Sequence, residues 1–276
     1  MSKRRHRVTW ITDIHRNSFG TENCEGVDYQ KAVENTRRTK PKSVLLNTDF
    51  AEASELVQFL KQLQYDVGGC PLYFTVGNHT RCNSIHQIRS ELKEYLTDTP
   101  TITHVGACDQ PIALTESVAL VGYDGWSEAS FERWPPELEN LKRDARIPTR
   151  CADCHRLSQR PDSAAVKASV ELIFMLSQAA RQFPIVLLLT QLPLWPALSD
   201  IDDVSSNYPD VPLLASPLAG ELVEAEMQEK PECNLTVLCG HVQRTACHVP
   251  LPNVEALTGQ AQTMPPGVRI VLRLPN

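Results

Sequence analysis

Asp13 and His15 stand two residues apart just after the β-rich run "RVTWI", which passes through Thr12-Asp13-Ile14-His15. Residues two apart in an extended segment point to the same side, so one divalent cation could take both the carboxylate and the imidazole. Four further β-rich runs end in comparable chemistry. "SVLLN" leads to Thr48-Asp49, "PLYFTV" to Gly77-Asn78-His79, "IVLLLT" to Gln191 and "LTVLC" to Gly240-His241-Val242-Gln243. Asp49 could bridge two cations, and bridging carboxylates suit metals about 3.5–4 Å apart, a spacing used for in-line attack on phosphorus. Asn78 offers a neutral carbonyl oxygen, and His79 a titratable imidazole for a leaving group or a phosphate. Taken singly, each residue has a plainer role. Asp49 also suits the cap of a helix beginning near Ala51, Asn78 suits a turn after Gly77, and His79 and His241 suit ordinary hydrogen-bonded histidines. Their order and common position after strands are more specific than any member.

The elements that must position these residues are legible in the apolar pattern. Runs such as "IVLLL" lack alternation, as expected of strands buried on both faces. A sixth run, "SVALVG", precedes Tyr123-Asp124-Gly125. Between the strands, residues 51–65 place Leu56, Phe59, Leu60 and Leu63 on one helical face. Residues 84–96 do the same with Ile85, Ile88, Leu92 and Leu96, and residues 163–182 with Val166, Val170, Ile173 and Leu176. The tail reads differently: "TACHVPL", "VEALTG" and "GVRIVLRL" are consecutive strands without helices. Alternating strands and helices closed by extra β-structure predict an α/β fold with helices flanking a β-core. In such sheets ligands gather beyond the carboxyl ends of the strands. The polar stretch 126–161, rich in Pro, Arg and Glu, is expected to be a cap inserted within one domain spanning 1–276.

Composition narrows the function. Net charge is −6 over 276 residues, which argues against broad electrostatic binding to nucleic acid or anionic membrane. A local basic patch, Arg37–Lys42 ("RRTKPK"), keeps a nuclease open. No apolar run approaches a membrane span. The basic start "KRRHR" leads into a stretch too short and polar for a signal-peptide core, so a cytoplasmic protein with its nine cysteines reduced is expected. Phosphate-loop, serine-hydrolase and dinucleotide fingerprints are absent. Cys151-Ala152-Asp153-Cys154-His155 matches the c-type haem attachment pattern. Without an export signal two free thiols are the plainer expectation, with a small zinc site on Cys151 and Cys154 as an alternative.

Asp13-Ile14-His15, Thr48-Asp49, Gly77-Asn78-His79-Thr80, Thr190-Gln191 and Gly240-His241-Val242-Gln243 follow one another in an order that resembles the calcineurin-like metallophosphoesterase superfamily, in particular a bacterial cytosolic branch. The likeness spans nearly the whole chain. It implies two packed mixed β-sheets flanked by helices in a four-layer sandwich. It also implies hydrolysis of a phosphomonoester or phosphodiester of a small phosphorylated substrate by a metal-bridging hydroxide. One metal would rest on Asp13, His15, Asp49 and Gln243; the other on Asp49, Asn78, Gln191 and His241. His79 would serve as the acid or phosphate-orienting residue.

Four positions depart from that pattern. Gln191 and Gln243 stand where the family has His, Thr80 where it has an acidic residue beside His79, and Thr48 where it has Gly. An amide oxygen is a harder and weaker donor than imidazole. Two divalent ions, with Mn or Mg favoured over Zn or Fe, are therefore expected, held more weakly. The alternative is a pseudoenzyme of the same fold that binds a phosphorylated ligand or protein without turnover.

Overall fold

The computed structural model describes residues 6–12, 29–48, 53–77, 85–125, 163–198, 215–241, 245–259 and 270–275. The runs read as strands form them: β1 (His6–Thr12), β2 (Ser43–Asn47), β3 (Leu72–Thr75), β6 (Val118–Tyr123), β7 (Ile185–Thr190) and β8 (Asn234–Cys239). Two short strands carry too little pattern to be read from sequence, β4 (Ile102–His104) and β5 (Ile112–Ala113). The tail folds as expected into β9 (Cys247–Leu251), β10 (Val254–Thr258) and β11 (Ile270–Leu274).

These strands form two mixed sheets. The first has the order β11-β1-β2-β3-β4, and the second β5-β6-β7-β8-β10-β9. Strands β1 to β4 run parallel with β11 antiparallel at the edge. Strands β6, β7, β8 and β10 are parallel, with β5 and β9 antiparallel at the two edges. The closing strands thus divide between the sheets: β9 and β10 extend the second, and β11 crosses to pair with β1 of the first.

Helices cover the outer faces. They are α1 (Tyr29–Thr39), α2 (Ala53–Asp66), α3 (Ile85–Tyr95), α4 (Ser163–Gln182) and α5 (Pro217–Gln228). Leu56, Phe59, Leu60 and Leu63 of α2 and Ile88 and Leu92 of α3 are buried, and Leu96 packs against them. The α4 stripe is rotated from its expected setting. Leu172, Met175, Leu176 and Ala179 face inward, whereas Val170 is 57% exposed. The side chains of Ile85 and Val166 lie outside the described set. Sequence reading missed α1, whose buried face is only Ala32, Val33 and Thr36. It also missed α5, which begins at Pro217, a residue preorganised for a first helical turn.

Three apolar clusters define four layers. Ile11, Val44, Leu46, Leu72 and Phe74 of the first sheet pack with α2 and α3. Ala119, Val121, Val186, Leu188, Leu235 and Val237 of the second pack with α4 and α5. Between the sheets lie Val8, Trp10, Leu45, Val118, Leu120, Leu187, Leu189 and Leu238. Central strands are buried on both faces, which explains their unbroken apolar runs. No helix among the described residues is long and apolar enough to cross a membrane.

Strand β6 and the segment after β4 approach closely at Gly122. A methyl group there would stand 2.5 Å from the Val105 carbonyl carbon and 2.6 Å from the Gly106 nitrogen. Both obstacles are backbone and cannot rotate away, so Gly122→Ala is expected to destabilise the fold by about 3 kcal/mol or more. Urea unfolding of the two proteins checks this.

Candidate functional site

The strand registers place the chemistry at one level. Thr12 pairs with Asn47, and Asn47 with Thr75, in one row across the first sheet. Tyr123, Thr190, Cys239 and Thr258 form the matching row across the second. Each candidate residue leaves the chain within a few positions of its row: Asp13 after Thr12, Asp49 after Asn47, Asn78 after Thr75, Gln191 after Thr190 and His241 after Cys239.

A hydrogen-bonded carboxamide joins the two rows. Asn47 Nδ2 donates to the Thr190 carbonyl oxygen at 2.6 Å, and Trp10 Nε1 donates to Asn47 Oδ1 at 2.6 Å. The same amide donates to Thr75 Oγ1 at 3.4 Å. Asn47 therefore ties β1, β2 and β3 to β7, and its three polar partners Trp10, Thr75 and Thr190 are buried with it. Its neighbour Thr48, also buried, donates from Oγ1 to the Thr75 carbonyl at 2.7 Å. That fixes the chain at the residue before Asp49.

Strand β8 closes the arrangement. A methyl group on Gly240 would lie 2.6 Å from Gln191 Oε1, 2.7 Å from Thr12 Oγ1 and 3.0 Å from Asn47 Cβ. Any side chain there would force Gln191 or Thr12 to shift where four strand ends meet. The next residue, His241, takes a φ of 68°, a left-handed backbone uncommon outside glycine. The chain turns sharply there, and His241 is half-buried.

Of the expected ligands, Gln191 and His241 are described, and the Gly240 contacts place both beside the ends of β1 and β2. Gln191 is fully buried. Asp13, His15, Asp49, Asn78, His79 and Gln243 lie outside the described residues, as do Thr80, Cys151, Cys154, His155 and the expected cap at 126–161. Among the described residues no group of three or more His, Cys, Asp and Glu is gathered to hold a metal ion. Cys239, at the level of the row, is no thiolate candidate: burial pushes its thiol up to about 12. Among the described residues, the expected ligands on this edge, Gln191 and His241, offer an amide oxygen and an imidazole.

Sequence reading passed over two residues here. Asn47 looked like the last residue of a strand, and its type carried no signal until its partners were known. Asp124 was noted at a strand end but given no role. It is buried, and its Oδ1 accepts from His104 Nε2 at 2.8 Å and from the Val76 N–H at 3.2 Å. Its Oδ2 lies 3.3 Å from Arg89 Nε. Burial alone would raise the Asp124 carboxyl. The His104 ring, the Arg89 guanidinium and the Val76 N–H outweigh it and hold the group below the ordinary carboxylate range.

Scanned against models of known protein families, the chain matches none, and a search of curated proteins also finds no match.

Two stability predictions follow from these junctions. Asn47→Leu strands Trp10 Nε1 and the Thr190 carbonyl in a dry interior, and it is expected to lower unfolding free energy by about 3 kcal/mol, measured by urea denaturation. For Asp124 the folded-state pKa lies below the unfolded one, so its contribution is present above the unfolded value near pH 4 and lost as pH falls through the folded value. Thermal melts of wild type and Asp124→Asn should differ at pH 7 and draw together below about pH 4.

Proposed function

We propose that the chain is a metal-dependent phosphoesterase acting on a small phosphorylated substrate. The observation that carries this reading is the shared level of the strand ends, where Asn47 and Gly240 bring β1, β2, β7 and β8 into contact. Residues following those strands supply Asp13, His15, Asp49, Gln191, His241 and Gln243, and β3 supplies Asn78 and His79. Carboxylate, amide oxygen and imidazole form a hard donor set that suits Mn²⁺ or Mg²⁺. Asp13, His15, Asp49 and Gln243 would hold one cation, and Asp49, Asn78, Gln191 and His241 the other. Bound cations would supply an activated water and neutralise charge on the phosphoryl group. Within the chain, His79 would hold or deliver a proton at the leaving oxygen. Asp49 would serve both ion sites from one short, tied strand end.

One observation favours a second reading, a phosphate-binding protein without turnover. Gln191 is wholly buried, with its Oε1 packed at the position a Gly240 methyl would occupy. That placement suits a residue filling the junction as well as it suits a ligand.

Titration with Mn²⁺, followed by melting and by hydrolysis of bis(4-nitrophenyl) phosphate, separates the readings. At a hundredfold excess over Kd, Mn²⁺ is expected to stabilise the protein by about 2.7 kcal/mol and to switch on hydrolysis. Asp49→Asn should abolish turnover, whereas Gln243→Ala should mainly raise the Mn²⁺ concentration required. Stabilisation without turnover would favour the binding protein. No response of melting or activity to Mn²⁺, Mg²⁺ or Zn²⁺ would end the metal reading.

A further inference from the structure

We infer that Asp124, together with Arg89, is a positioning residue that clamps the end of β3 to α3, the two elements that flank the segment 78–84 carrying Asn78 and His79. The inference rests on the phosphoesterase reading for its catalytic consequence, though its geometry stands apart from it. Asp124 lies one residue beyond β6 of the second sheet, whereas β3, which precedes the segment 78–84, belongs to the first. Its Oδ1 accepts the N–H of Val76, the residue immediately before Gly77. Its Oδ2 faces Arg89 on α3, the helix that follows the segment 78–84 in the chain. One buried carboxylate thus grips the strand that enters and the helix that leaves.

The clamp is closely built. Arg89 Nη2 donates to the Gly106 carbonyl at 2.6 Å, and Nη1 lies 3.3 Å from Glu171 Oε2 on α4. A methyl group on Gly106 would fall 2.0 Å from Asp124 Oδ1, so glycine is required for the carboxylate to reach its partners. His104, stacked on Phe74 with ring centroids 5.0 Å apart, supplies the shortest contact to Asp124. A buried carboxylate carries a desolvation cost that only a full set of donors offsets. Here those donors come from the end of β3, from β4 and from α3, so the charge favours one relative placement of these elements. The clamp also bears on Thr80: by the family resemblance an acidic neighbour would hold His79, and this chain has none. Fixing the two flanking elements would help to position His79 by another route.

The test uses full-length protein, Mn²⁺ and bis(4-nitrophenyl) phosphate. Asp124→Asn removes charge assistance from the Val76 hydrogen bond, so Val76 amide exchange should quicken about tenfold, with Leu188 and Val237 in the second sheet unchanged. In the same variant kcat should fall about tenfold with KM within about twofold. In a His79→Asn background the further loss from Asp124→Asn should be no more than about twofold, because both changes act through one imidazole. Arg89→Gln leaves the Val76 bond in place and releases only the helix stem. It should reduce kcat about threefold, and it serves if Asp124→Asn fails to fold. Unchanged Val76 exchange would overturn the clamp. Equal kcat losses with and without His79, or no loss from Arg89→Gln, would overturn its positioning role. If wild type shows no metal-dependent hydrolysis, the phosphoesterase reading fails, and local release at Val76 alone decides whether the clamp stands.

Discussion

Two apolar sheet faces laid together are free to slide, because the hydrophobic effect that joins them has no direction. In this fold the Asn47 carboxamide removes that freedom. It accepts from Trp10 on β1 and donates to Thr75 on β3 and to the Thr190 carbonyl on β7. Buried polar atoms are costly unless paired, so a shift that parted Asn47 from Thr190 would strand groups in a dry interior. That constraint sets the level at which both sheets end, and every residue proposed for the site follows within a few positions of it.

Close approach does the rest. The ends of β1, β2, β7 and β8 meet where Gly240 has no side chain, and β6 meets the segment after β4 where Gly122 and Gly106 have none. A polar layer of Thr12, Asn47, Thr48, Thr75, Thr190 and Gln191 lies buried beneath the edge. Hydroxyls and amides there give direction to a core that is otherwise Val, Ile and Leu. The strand ends themselves are held at fixed places.

The two polar junctions divide the work. Asn47 is neutral and joins strands at the middle of both sheets. Asp124 is charged and joins β6 to β3, β4 and α3 toward one side. A neutral amide can sit between strands with three partners at modest cost. A carboxylate needs donors beside it, and it finds them in the His104 ring, the Arg89 guanidinium and the Val76 N–H, which together hold its proton off despite burial.

Sequence alone determined the α/β class, six of the strands, the three tail strands and the helices at α2, α3 and α4, because buried faces impose a period on apolar residues. It also determined which residues follow the strands with chemistry to offer. It misplaced Val170, since a helix rich in Ala and Val carries an ambiguous stripe, and it missed α1, α5, β4 and β5, where small or polar residues blur the pattern. Of the site, Gln191 and His241 were singled out from their place after strands, and the structure sets both at the junction. Asp13, His15, Asp49, Asn78, His79 and Gln243 belong to the sequence reading alone. Only the tertiary structure decided that β11 returns to β1 in the first sheet while β9 and β10 stay with the second. It alone gave Asn47, Gly240 and Asp124 their meaning, because each matters through partners 20 or more residues away in the chain, and no local pattern records a contact of that range.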